Sequence, residues 1–256
     1  MFNGVKMKVQ QPISIQEFAT SSHMKVTQGI SFADFANNCL NNNVNGCKNI
    51  VADNSANEFS ETTQNKEAII VTKGQRYNLS SHEIDSIYIG LGWDLPTDAR
   101  IAYDLDSEIF MLGKDGKVIS DDYFIFYGQT SSPDGSCNHL ADNLTGEGMG
   151  DDEVIQIELS KINPSVEKLA IVITINDAIE NDQRFGEINN AYVRVMDGKN
   201  NKEILRFNLT DYPDEVRSLT VGEIYKKDGT WRFNALGQGL DTDLAGLCRF
   251  YGVNLV

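Results

Sequence analysis

The chain has 256 residues and a mass of 28.5 kDa, enough for one large domain or two small ones and for a core that needs no disulfide. Lys and Arg number 22 against 37 Asp and Glu, a formal charge of −15, which argues against a protein that grips nucleic acid, because that affinity comes mainly from cationic side chains displacing counterions. No stretch approaches the roughly 18 consecutive apolar residues of a membrane span, and the N-terminus has no unbroken apolar run of the signal-peptide kind, so a soluble cytoplasmic protein is expected.

Residues 1–36 carry a tandem motif. Met7-Lys8-Val9-x-Gln11-x-Ile13-Ser14-x-x-x-Phe18-Ala19 is repeated 17 residues on as Met24-Lys25-Val26-x-Gln28-x-Ile30-Ser31-x-x-x-Phe35-Ala36. Ser14 with Glu17, and Ser31 with Asp34, have the spacing of a capping box. Ile13 with Phe18 and Ile30 with Phe35 have that of a hydrophobic staple, so each copy predicts a short helix. Helices this short are marginal alone in water. Ile13, Phe18, Ile30 and Phe35 are therefore the expected docking face, toward a partner protein or a second copy of this chain. Residues 37–66 are Asn-rich and poor in apolar side chains, the composition of a linker. Cys39, Cys47, Cys137 and Cys248 form no CxxC pair and have no zinc-finger spacing, so free thiols are expected.

Residues 67–256 read as an all-β domain, an antiparallel β-sandwich with a short C-terminal helix. Strand-like runs occur at 69–71, 87–93, 101–112, 123–127, 154–159, 169–175, 191–196, 204–209, 219–225 and 231–236. Asp115-Gly116 and Asp228-Gly229 lie between such runs as hairpin turns. A parallel α/β sheet would need a helical pattern between strands, and none is present. One helix is predicted from Asp243 to Tyr251, with Asp243 as N-cap and Gly252 at its end.

Charge is concentrated in residues 90–153, which hold fourteen Asp and Glu against three Lys and Arg, a local balance of −11. Such self-repulsion calls for dispersed carboxylates or a bound cation. Asp104-Leu105-Asp106 sits in a strand-like run, so both carboxylates emerge on one face. A hard divalent cation such as Ca²⁺, which takes six to eight oxygen ligands, would relieve their repulsion. Paired aspartates also serve as general acid and base, so a carboxylate- and metal-dependent hydrolase of a small phosphate or nucleotide substrate is the alternative. The segment from Ala141 to Glu153 interleaves Asp142, Asn143, Asp151, Asp152 and Glu153 with glycines that let carbonyls turn inward. It is not an EF-hand, since Leu144 and Gly146 occupy ligand positions and no helical pattern flanks it. His23, His82 and His139 fall in no nucleophile motif, and the pairing of Cys137 with His139 reads as incidental. There is no P-loop, and Gly90-Leu91-Gly92 continues into Trp93-Asp94 rather than a helix.

Several of these segments together resemble the TerD family of tellurium-resistance and general stress proteins, over about residues 67–256. The resemblance rests on Gly90-Leu91-Gly92-Trp93-Asp94, Tyr103-Asp104-Leu105-Asp106, Asp122-Tyr123-Phe124-Ile125-Phe126-Tyr127, Ser132-Pro133-Asp134-Gly135-Ser136, Asp142-Asn143-Leu144-Thr145-Gly146-Glu147-Gly148, Asp151-Asp152-Glu153, Asn176-Asp177-Ala178, Phe185-Gly186 and Gly237-Gln238-Gly239. It implies a sandwich that binds two Ca²⁺ ions in loops at one end, without catalysis, in cytoplasmic bacterial proteins that resist tellurite and other stresses. The implied ligand set is Asp94, Asp104, Asp106, Asp122, Asp142, Asn143, Asp151, Asp152 and Glu153. Because no nucleophile or base arrangement accompanies the carboxylates, an adaptor role is expected over hydrolysis, with other stress-resistance proteins or a second copy as the partner of Ile13, Phe18, Ile30 and Phe35 and peripheral contact with an anionic membrane. Glu108 stands where the family usually has a small residue, Asn176 where it often has His, and residues 1–65 are an addition to the usual pattern.

Overall fold

Among the described residues, twelve strands, most of them rich in apolar side chains, build two sheets that face each other across a shared core. The computed structural model describes residues 68–79, 84–94, 103–141, 150–209 and 215–255. The tandem motif with Ile13, Phe18, Ile30 and Phe35, the linker, and the candidate ligands Asp142 and Asn143 lie outside the described residues. The strands are β1 (Ile69–Val71), β2 (Arg76–Asn78), β3 (Ser86–Asp94), β4 (Leu105–Leu112), β5 (Phe124–Ile125), β6 (Cys137–Ala141), β7 (Glu153–Glu158), β8 (Lys168–Ile175), β9 (Asn189–Asp197), β10 (Glu203–Asn208), β11 (Ser218–Lys227) and β12 (Thr230–Leu240).

One sheet has the order β1-β10-β9-β3-β7-β6 and the other β2-β12-β11-β8-β4-β5. Only β1 and β10 pair in parallel among the described residues; the remaining pairs are antiparallel. Successive strands β1 and β2 belong to different sheets, joined through the turn at Thr72–Gln75. The sandwich and its C-terminal helix agree with the sequence reading. Two strands escaped it, β2 because it is three largely polar residues and β6 because Cys-Asn-His-Leu-Ala has no clear period of two.

Ile87, Ile89, Leu91 and Trp93 of β3 point into the core, as do Leu105, Ile109 and Met111 of β4 and Trp231, Phe233 and Ala235 of β12. Each large side chain so buried contributes about 1.5–3 kcal/mol. The outer face of the second sheet is covered too. Phe110, Leu112, Phe124, Ala170 and Val172 pack under Leu247, Cys248 and Tyr251 of α1 (Leu244–Tyr251). Asp243 accepts the first-turn bond from Gly246 N at 2.8 Å, and Gly252, with φ +83°, ends the helix in the left-handed conformation.

Asp228 and Gly229, both at positive φ, make the tight β11–β12 hairpin with Lys227 opposite Thr230. Asp115-Gly116 instead turns β4 back only as far as an isolated bridge between Leu112 and Val118. After that the chain enters a 3-10 turn at Asp121–Tyr123. Cys137 and Cys248 are free and buried. No helix among the described residues is long and apolar enough to cross a membrane.

Candidate functional site

Antiparallel pairing gathers the acidic segments at one end of the sandwich. β3 and β8 finish there, and β4, β7 and β9 start there: Leu105 lies opposite Ile175, Leu91 opposite Glu153, and Asp94 opposite Asn189. A bond across the two sheets ties the end together, since Ser107 N of β4 donates to Glu153 Oε2 of β7 at 2.5 Å. Asp94, Asp104, Asp106, Asp151, Asp152 and Glu153 therefore share this end.

Their environments differ. Asp94 and Asp104 flank residues 95–102 in the chain, and each is held by an asparagine amide from across the sheet. Asn190 Nδ2 donates to Asp94 Oδ2 at 2.6 Å, and Asn176 Nδ2 to Asp104 Oδ2 at 3.1 Å. Asn190 stands at φ +52°, a conformation that asparagine tolerates better than most residues. Neither amide belongs to the ligand set implied by the resemblance, although Asn176 lies in one of its motifs. Asp152 Oδ2 accepts from Trp93 N at 3.1 Å, while Trp93 Nε1 donates to Tyr103 O at 3.3 Å. The tryptophan thus fixes both the end of β3 and the entry to β4.

Glu153 is fully buried between the sheets, with His139 Nε2 3.7 Å from its Oε2. Ser107 Oγ lies 3.5 Å from the same nitrogen. A hydrolytic relay would set the acid on one ring nitrogen and the hydroxyl on the other. Here both contacts fall on Nε2.

Asp151 faces outward from the first sheet. Gly90 makes room for it: a Cβ there would lie 2.2 Å from Asp151 Oδ2. Arg194 Nε contacts its two oxygens at 2.8 and 3.1 Å, and Tyr192 donates its hydroxyl to Oδ1 at 3.1 Å. Burial pushes the Asp151 carboxyl up and the Arg194 guanidinium pulls it back. Arg194 also pairs with Glu203, which holds Arg206 in turn, and Arg206 lies over the Tyr192 ring at 4.0 Å. Asp151 is thereby engaged in an ion-pair network.

Asp122 is placed elsewhere. β5 runs antiparallel to β4 with Phe124 opposite Phe110, so the 3-10 turn that carries Asp122 sits near Leu112. That is the far end of β4, about 25 Å along the strand at roughly 3.3 Å per residue.

Asp106 and Glu108 alternate onto the outer face of the second sheet, opposite Thr174 and Val172 of β8. Burial, then the charges of Asp106 and Glu153, push the Glu108 carboxyl well above its ordinary range, against a hydrogen bond from Thr174. The Tyr127 phenol is raised by burial and then by Asp106, Glu108, Asp104 and Asp177. The gathered donors are carboxylate and amide oxygens, a chemistry that suits Ca²⁺ and not a thiolate- or imidazole-seeking ion. Among the described residues no three His, Cys, Asp or Glu side chains are placed to hold one ion.

Comparison with known proteins agrees with this architecture. The TerD domain model matches residues 67–251. The tellurium resistance protein TerD of Serratia marcescens is 38% identical over 189 residues, covering 73% of this chain and 98% of that protein. General stress protein 16U of Bacillus subtilis (strain 168) is 37% identical over 190 residues, covering 73% and 98%. Among solved structures, SAV2460, a protein of unknown function, superposes with a TM-score of 0.57 at 24% identity, over 67% of this chain and 98% of that one. With its fold, its strand-end motifs and its relatives in agreement, the chain belongs to the TerD family of tellurium-resistance and stress-response proteins.

Proposed function

We propose that this chain is a non-enzymatic Ca²⁺-binding member of its family, acting in the cytoplasm as a calcium-dependent adaptor. The observation that carries the reading is the convergence of Asp94, Asp104, Asp106, Asp152 and Glu153 at one end of the sandwich, two of them held by asparagine amides. Those residues, with Asp142 and Asn143 of the same chain region, would hold the cation. Two Ca²⁺ would reduce the local charge of residues 90–153 from −11 to −7. Binding the folded state alone would stabilise it by about 2.7 kcal/mol at a free ion concentration 100 times the dissociation constant.

The adaptor role rests on the contrast between this acidic end and the tandem motif of residues 1–36. Two copies joined to the sandwich by a linker can engage two equivalent sites on a partner or a neighbouring copy, the second at high effective concentration. Hydrolysis finds less support, because the Ser107, His139 and Glu153 grouping lacks a relay geometry and is buried. Calorimetric titration with CaCl₂ and melting curves with and without EGTA test the metal. No binding heat and no change in melting temperature would refute it. Pull-down and sedimentation with anionic vesicles, each with and without Ca²⁺, test the adaptor.

A further inference from the structure

The outer face of the second sheet holds a buried polar group of its own. Asp106 and Glu108 of β4, Thr174 of β8 and Ser218 of β11 all lie on it, with Asp106, Thr174 and Ser218 opposite one another in successive registers. All four are at most 5% exposed, and Glu108 and Ser218 are fully buried. Thr174 donates its hydroxyl to Glu108 Oε1 at 2.7 Å. The Glu108 carboxyl therefore leans from β4 over β8, toward the side on which Ser218 stands. Thr174 has then used its only hydrogen.

Two polar atoms are left over. Glu108 Oε2 and Ser218 Oγ are buried without a hydrogen-bond partner among the described residues. A buried carboxylate oxygen without a donor is among the costliest groups a fold can retain. The ionised groups that act on Glu108 are Asp106 and Glu153, both acidic. From α1, packed over this face, comes Cys248, whose thiol burial and then the Glu108 carboxyl push up. Tyr127, at the rim, is surrounded by carboxylates as well. Asp106, Glu108, Thr174 and Ser218 thus bring side-chain oxygens to neighbouring positions of this face, two of them unpartnered, beside further acidic groups. A hard cation coordinated by these oxygens would hold the Glu108 carboxyl ionised where burial and its acidic neighbours favour the neutral form.

We propose that Glu108, with Asp106, Thr174 and Ser218, forms a buried oxygen-lined cation site on the outer face of the second sheet, of a kind suited to Ca²⁺. The proposal rests on the Ca²⁺ reading above and adds Glu108 and Ser218 to it. The full-length chain and two variants test it: Glu108→Gln, which keeps the acceptor for Thr174 and places an amide nitrogen at the second oxygen, and Ser218→Ala. The readouts are calorimetric titration with CaCl₂ and the luminescence of Tb³⁺ excited through tyrosine, for which Tyr127 and Tyr251 border the site. Glu108→Gln is expected to weaken one Ca²⁺ step by at least about tenfold, as carboxylate count sets affinity at such sites. It should lower tyrosine-sensitised Tb³⁺ emission in step, with Ser218→Ala changing both in the same direction by less. If the wild type takes up no Ca²⁺, the parent reading fails. If it does, and both variants titrate and emit as the wild type does, this proposal alone is overturned. Should Glu108→Gln not fold, unchanged Ca²⁺ uptake and emission in Ser218→Ala overturns it equally.

Discussion

Gly90→Ala tests whether the Gly90-Leu91-Gly92 motif exists to make room on the outer face of the first sheet. Gly90 is not at positive φ, so on backbone grounds alanine should stabilise the protein by about 0.4–1 kcal/mol through the unfolded chain. The packing predicts the opposite sign. A Cβ at Gly90 would sit 2.2, 2.4 and 2.7 Å from Oδ2, Cγ and Oδ1 of Asp151. That carboxylate is buried and held by Arg194 and Tyr192, so it cannot move aside without loosening an ion pair. Overpacking costs about 1–3 kcal/mol and breaking a buried pair about 3–5. A loss of roughly 3 kcal/mol follows. With a urea slope of about 2 kcal/mol/M, the midpoint should fall by roughly 1.5 M. The control is a double-mutant cycle with Asp151→Ala, in which Gly90→Ala should become nearly neutral because nothing remains to collide with. A neutral or stabilising Gly90→Ala, or an equal cost in both backgrounds, refutes the reasoning.

Asp134 supplies a pH prediction. Burial raises its carboxyl, but bonds from Ser132, Ser136 and Asn163 outweigh that and hold it below its ordinary value of 3.8. Its contribution to stability is then present above the unfolded value and lost as pH falls through the folded one. Urea midpoints between about pH 6 and pH 2 should fall less steeply with acid in Asp134→Asn than in the wild type; parallel profiles would contradict this. Asp243→Ala removes the cap on Gly246 N and should cost about 1 kcal/mol, with amide exchange fastest at the start of α1 if the loss is local. Deleting residues 1–66 should leave Ca²⁺ affinity within about a factor of two and reduce self-association or partner capture in light scattering and pull-down. A truncated chain that does not fold would place the extension in the core.

Strand identity was legible along β8, where a continuous apolar run is buried on both faces, and along β12, where the period of two survives in the letters. It was not legible at β2, whose three residues are defined by pairing with Arg232 to Asn234 rather than by their own pattern. The acidic end was readable as a set of segments, but its partition was not. Asp104 and Asp106 look equivalent in sequence. One meets Asn176 and the other the outer face of the second sheet, since Asp104 precedes β4 and Asp106 lies within it. Asp151, Asp152 and Glu153 are adjacent letters that meet Arg194, Trp93 N and Ser107 N respectively, because a strand start turns successive side chains to different sides. Asp122 belongs to a motif yet sits at the far end, a consequence of β5 register that local sequence does not encode.

The parallel pairing of β1 with β10 sets how tension would travel from the N-terminal extension into the domain. A pull on residues that precede Ile69 arrives first at a strand of three residues, at the margin of the first sheet. β10 and β9 stand between it and β3, and β12 and β11 stand between β2 and β8. A partner that tugs on the tandem motif would strip β1 and then β2 before any strain reached the strands whose ends carry Asp94, Asp104 and Glu153. The extension can act as a mechanical tether while the acidic end keeps its geometry.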